Sequence, residues 1–213
     1  MDRMVYISIE SYRWYKMSNL VIAGGQSVTD YDGEQLARLA FNSFTFGVND
    51  SGLLWPCDVI VALDPDWIRD RQNEIKHIKK PVITRKWDIL KDMGLDLIEL
   101  ANDIPWRLSG MVACKISDTL AATSGSKSYV IGMDHRAGHY YNDASDCSKV
   151  VELDIYASMG LTNTINMGVH SRISCWPKIS KLPALRKAAS SRVYKAAALG
   201  WVRGEVEKGT FNK

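Results

Sequence analysis

The sequence predicts a Rossmann-like three-layer α/β sandwich, with a mainly parallel sheet and a C-terminal helix. Three observations carry that expectation. Short apolar runs alternate with segments of helical period from about residue 20 to residue 170, the pattern of consecutive βαβ units. Some runs, such as DVIVALD at 58–64 and SYVIGMD at 128–134, are apolar at successive positions, as in strands covered on both faces. Several runs end in glycine or in polar side chains, where a parallel strand hands over to a helix or loop.

In chain order, MVYISIE (4–10) and LVIAG (20–24) read as strands. YDGEQLARLAF (31–41) reads as a helix with Leu36, Leu39 and Ala40 on one face and Asp30 as its cap. SFTFGVN (43–49) and DVIVALD (58–64) are strands; PDWIRDRQNEIKHI (65–78) is a helix opened by proline. PVITR (81–85) is a strand, DILKDMG (88–94) a short helix closed by Gly94, and LDLIEL (95–100) a strand or extended segment. GMVACKISDTLAATSG (110–125) is helical, SYVIGMD (128–134) a strand, CSKVVELDIYASMG (147–160) a helix and TNTINMGV (162–169) a short strand. PALRKAASSRVYKAAALGWVRGEV (183–206) is a long helix, with Leu185, Ala189, Val193, Ala196 and Ala197 along one face.

A chain of 213 residues, 46% hydrophobic and 24% charged, is of a size and composition to build a core without staples. Residues 1–180 are read as one Rossmann-like domain and residues 181–213 as a basic helix and tail. Cys57, Cys114, Cys147 and Cys175 form no CxxC pair, so they are read as free thiols in a reducing compartment. Residues 1–17 carry charges throughout and lack an apolar signal core, and no apolar run approaches the length of a membrane span. The chain is therefore expected to be cytoplasmic. Residues 178–213 hold nine Lys/Arg against two Glu, whereas the rest holds eighteen basic and twenty-two acidic residues. The basic end is either a solvated helix face or a surface for phosphate or nucleic acid.

Ligands of parallel sheets bind beyond the carboxyl ends of the strands. Four predicted ends are polar: Gly24-Gly25-Gln26-Ser27, the Asn49 end, the Asp64 end and the Asp134 end. The first has neither GxGxxG spacing nor the Lys-Ser/Thr of a P-loop. Its glycines allow close approach of backbone to ligand, and its amides and the Ser27 hydroxyl suit a phosphate or carboxylate. Asn49 also reads as a turn residue in NDSG, and Asp64 as a helix cap before Pro65. DHRAGHYYND (134–143) is the densest chemical cluster, gathering Asp134, His135, Arg136, His139, Tyr140 and Tyr141. Gly138 opposes the helix that would put His135 and His139 on one face, so no metal site is assigned there. Trp55, Trp67, Trp87, Trp106 and Trp176 flank the strand ends and suit either base stacking or the rim of a core.

VIAGGQSVTDYDGEQL, FTFGVND and CDVIVALDPDW, followed by SGMVACKISDTLAATSGSKSYVIGMDHRAGHYYND and INMGVHSRISCWPKIS, resemble the bacterial sialyltransferases of the lipooligosaccharide type. They are similar also to the motility accessory proteins, the pterin-pyrophosphokinase-like proteins and small phage-encoded relatives. The likeness spans most of residues 20–180. It departs at Gly25-Gln26-Ser27, where the commonest family form is Gly-Pro-Ser, and at Asp64, which is closer to the accessory branch.

The resemblance implies a glycosyltransferase using a nucleotide-sugar donor of the CMP type. Gly24, Gly25, Gln26, Ser27, Asn49, Asp64, Asp134 and Ser171 would hold the nucleotide. A histidine among His135, His139 and His170 would serve as base, with Tyr140 and Tyr141 at the leaving phosphate. An imidazole titrating at about 6.5 can take an acceptor proton, and phenol hydroxyls can hydrogen-bond a departing phosphate. The resemblance leaves two alternatives: a pyrophosphokinase-like enzyme with Mg²⁺ on Asp64, Asp66 and Asp134, or a nucleotide-binding accessory protein without catalysis. The acceptor and any homo-oligomer stay open.

Overall fold

The computed structural model describes residues 17–101, 104–134, 153–183 and 191–212. The expected strand at 4–10 lies outside them. Seven parallel strands form one sheet: β1 (Asn19–Ile22), β2 (Phe44–Val48), β3 (Val59–Val61), β4 (Val82–Thr84), β5 (Leu97–Glu99), β6 (Ser128–Ile131) and β7 (Thr164–Asn166), in the spatial order 5-4-3-2-1-6-7. The first five strands step outward from β1 in one direction. The chain then crosses back and continues from β6 on the other side of β1.

The expected α/β sandwich is present. One face of the sheet carries α1 (Gly33–Asn42), α3 (Pro65–Asp70) and α4 (Gln72–Ile78), and the other carries α5 (Ser109–Ser124), α6 (Asp154–Ser158) and α7 (Ser191–Lys208). A one-turn helix, α2 (Ser51–Leu54), follows β2. Alternation along β1 shows the two faces: Leu20 and Ile22 pack toward α1, while Val21 and Ala23 join the core beneath α5. All four residues of β1 and all five of β2 are buried, Asn19 and Thr45 included, as expected of central parallel strands covered on both faces.

Several local expectations shift. The cap of α1 is Asp32, which accepts from the Gln35 amide at 2.9 Å, because the chain from Gln26 to Asp30 forms a 3₁₀ turn first. The helix expected over 65–78 is two helices, broken at Arg71, whose guanidinium reaches Asp50 at 3.3 Å and Glu74 at 3.4 Å. Of the helix expected over 147–160, α6 is the described part.

In α7 the buried face is Tyr194, Ala198, Val202 and Val206, at strict four-residue spacing, while Val193, Ala196 and Ala197 are exposed. Leu185 and Ala189 lie outside the described residues. Tyr and Val bury far more apolar area than the alanines that suggested the other stripe, so they set the rotation of the helix. Through these residues and Phe211, whose ring lies 6.4 Å from that of Trp106, α7 packs into the main core. Its cations help to hold it there: Lys195 pairs with Asp58 at 2.9 Å just before β3, and Arg203 pairs with Asp96 just before β5. No described helix is long and apolar enough to cross a membrane.

Candidate functional site at the carboxyl ends of the strands

The crossover directions reverse between β1 and β6, so the crevice of this sheet opens at their carboxyl ends. Ile22 stands opposite Ile131, which brings the two segments beyond them side by side. There the backbones meet closely: the Gly25 amide donates to the Gly132 carbonyl at 2.7 Å, and the Gly132 amide donates to Ser27 Oγ at 3.0 Å. The Ser27 amide donates to Asp134 Oδ2 at 2.6 Å. Ser27 and Asp134 are both buried, so this charge-assisted bond ties β1 to β6 away from water.

The glycines serve mainly for close approach. Gly25 has an ordinary extended backbone, with φ −70° and ψ 159°, yet a Cβ there would lie 2.6 Å from both Asp134 Oδ2 and the Gly132 carbonyl oxygen. Gly132 does need its conformation: φ is +79°, and a Cβ would lie 2.2 Å from the Ala23 carbonyl oxygen.

The third wall follows β7. A Cβ at Gly168 would lie 2.7 Å from Asp134 Oδ1 and 3.0 Å from Ser27 Oγ. Ser171 is buried; its hydroxyl donates to the Met133 carbonyl at 2.9 Å and accepts from the Ile173 amide at 3.2 Å. The Arg172 amide donates to the Asp134 carbonyl at 3.0 Å, and Lys178 Nζ donates to the Ser171 carbonyl at 2.7 Å. His170, exposed, sits on the rim between Gly168 and Ser171. Tyr31 steadies the same loop, its hydroxyl donating to the Met167 carbonyl at 2.8 Å. Burial raises the pKa of that phenol, with the negative charge of Asp30 adding to it.

Of the residues expected to bind a ligand, Gly25, Ser27, Asp134 and Ser171 therefore come together, with Gly24 and Gln26 in the same turn. Asn49 ends the neighbouring strand β2 in the left-handed conformation, φ +49°, and its backbone carbonyl accepts from the Gly52 amide at 2.8 Å. It is a turn residue, as one reading expects, but its amide oxygen is buried without a partner. Asp64 stands apart. It is exposed at the end of β3, two strands from β1, and its carboxylate caps α3 through the amides of Asp66 at 2.9 Å and Trp67 at 3.4 Å.

Asp66 pairs with Arg69 at 2.8 Å, and among the described residues no three acidic, histidine or cysteine side chains are grouped to hold a metal. Asp64, Asp66 and Asp134 thus do not form the Mg²⁺ cluster that one alternative requires. His135, His139, Tyr140 and Tyr141 lie outside the described residues. Trp106 and Trp176 belong to the core, Trp176 meeting Tyr156 edge-on at 5.4 Å, and Trp87 is partly exposed.

Comparison of the chain with models of protein families, with curated proteins and with solved structures gives no match.

The sequence did not single out Gly132 or Gly168. Both lie near the ends of predicted strands, in runs that repeat the opening apolar-to-glycine pattern, VIAGG, VIGMD and INMG, which was the available signal. Thr84, the last residue of β4, was also passed over; its hydroxyl is buried without a partner.

Proposed function

We propose that the chain is a nucleotide-dependent transferase, a glycosyltransferase of the sialyltransferase-like kind, holding its nucleotide-sugar donor in the crevice where β1, β2, β6 and β7 end. One observation carries this reading. Asp134 Oδ1, beyond β6, and Asn49 Oδ1, beyond β2, are buried without hydrogen-bond partners past the carboxyl ends of the two strands that border β1. A buried polar atom left unpaired is costly, so such atoms gathered along one edge of a sheet support a ligand that completes them. The reversal of strand order beside Asp134 is where a parallel sheet opens a binding crevice. His170 on the rim is accessible to an acceptor, and the sequence runs directly from Asp134 into the histidines and tyrosines of 135–141.

A thermal-shift panel of CMP, UDP, GDP, ATP and their sugar conjugates tests the reading. A nucleotide at a hundred times its Kd should add about 2.7 kcal/mol of stability, roughly 5–11 °C for a chain of this size. Asn49→Gly keeps the left-handed turn while removing the buried amide, and it should weaken the response. His170→Ala should leave binding intact and lower transfer. If no nucleotide shifts the transition at millimolar concentration, the proposal fails. Binding without transfer to any sugar acceptor would leave a nucleotide-binding accessory protein.

A further inference from the structure

The turn after β1 has the look of a phosphate cradle, but the amides of Gly25, Ser27 and Val28 are already engaged. Gly25 N–H is taken by the Gly132 carbonyl at 2.7 Å, Ser27 N–H by Asp134 Oδ2 at 2.6 Å, and Val28 N–H by the Gly25 carbonyl at 3.3 Å. A carboxylate from β6 fills the place an anion would take. A phosphate brought to the same spot would meet a like charge in a buried setting, where repulsion is poorly screened.

The unsatisfied side chains of the crevice point the same way. Asp134 Oδ1 lies beside the β1 turn and Asn49 Oδ1 belongs to the residue that ends β2, the strand on the other side of β1; both are unpartnered acceptors. Glycine at 168 keeps Asp134 Oδ1 and Ser27 Oγ free of any Cβ, which would otherwise sit 2.7 Å and 3.0 Å from them. Two buried acceptors without donors call for a ligand that supplies donors.

We infer that the crevice receives its nucleotide through the ribose: the vicinal 2′,3′-diol donates to Asp134, and the Gly24-Gly25-Gln26-Ser27 turn is not the phosphate seat. This rests on the nucleotide-binding reading above. It goes further in making Asp134 the residue that selects a ribonucleoside, and in making the phosphate dispensable at this part of the site.

The test compares, on the wild-type chain, the four ribonucleosides with their 5′-monophosphates and with the matching 2′,3′-dideoxy compounds, by calorimetry or thermal shift. The preferred ribonucleoside should bind within about tenfold of its monophosphate, and removing the diol should weaken binding at least tenfold (about 1.4 kcal/mol). Asp134→Asn provides the second arm. The Asn oxygen must stay on the Ser27 amide, so its NH₂ replaces the free acceptor with a donor at the same place. That variant should lose at least tenfold for the ribonucleoside and little for the dideoxy compound.

If dideoxy and ribo compounds bind alike, a bound water satisfies Asp134 Oδ1 and the inference is overturned while nucleotide binding stands. If Asp134→Asn binds monophosphates more tightly than the wild type, Asp134 merely repels phosphate and the inference is again overturned. Absence of binding by every compound overturns both the inference and the reading beneath it.

Discussion

Replacing Gly132 with alanine tests the closest backbone approach in the crevice. Gly132 has φ +79°, which costs an L-residue about 1–2 kcal/mol by itself. The new Cβ would also sit 2.2 Å from the Ala23 carbonyl oxygen, 2.6 Å from its carbon and 3.0 Å from Val28 Cγ2. Two of these are backbone atoms of the central strand's end and cannot rotate away. β6 must move off β1, and the Gly25-to-Gly132 and Gly132-to-Ser27 hydrogen bonds lengthen with it. Overpacking of this kind costs about 1–3 kcal/mol, for a total of about 2–5 kcal/mol.

Gly160 supplies the internal control. Its φ is +62°, but nothing lies within 4 Å of the position a Cβ would take, so Gly160→Ala should cost about 1–2 kcal/mol from backbone strain alone. Urea unfolding of both variants, with m-values compared to exclude a change in the unfolded state, separates the two contributions. If the two substitutions cost the same within about 0.5 kcal/mol, which is the scatter expected of such comparisons, the close approach of β1 to β6 is refuted.

Asp118→Ala should destabilise by about 3 kcal/mol in the same assay. The buried carboxylate accepts from the Asn163 amide at 2.7 Å, the Thr162 amide at 3.4 Å and the Thr164 hydroxyl at 2.8 Å, and its loss strands donors at the start of β7; a change below 1 kcal/mol would refute that anchoring role. Burial pushes the Cys57 thiol from 9.0 up to about 12 and the Tyr194 phenol from 10.0 up to about 12. Above pH 9 the unfolded chain loses thiol protons that the folded chain keeps. The unfolding free energy should therefore fall as pH rises from 9 toward 12, by about 1.4 kcal/mol per pH unit from Cys57, and Cys57→Ala should reduce the slope by that contribution while the buried Cys114, Tyr156 and Tyr194 sustain the rest. Cys175 is exposed whereas Cys57 and Cys114 are buried. With Cys147 replaced by alanine, a thiol reagent should label Cys175 in the native protein and the other two only after unfolding, as read by mass spectrometry.

The sequence by itself determined the strands, the parallel sandwich and the polar character of the strand ends. These follow from local period and composition: unbroken apolar runs such as VIV at 59–61 have no stable place except between two helix layers. It determined also that Gly25, Ser27 and Asp134 belong to chemically marked ends, whereas Ser171 was marked only by the resemblance. Local pattern does not carry strand order, and order decides which ends become neighbours. Ser27 and Asp134 are 107 positions apart and meet because β6 pairs with β1.

Tertiary structure alone removed Asp64 from that group by leaving it two strands away as the cap of α3, and tertiary structure alone gave the Ser27 amide to the Asp134 carboxylate and the Gly25 amide to the Gly132 carbonyl. The rotation of α7 was equally hidden, since Tyr194, Ala198, Val202 and Val206 outcompete a rival apolar stripe only when a core exists to bury them. Periodicity is a short-range property of the chain. The crevice is made by pairings across more than a hundred residues, and the energies that choose among those pairings come from burial and hydrogen bonding that no single segment contains.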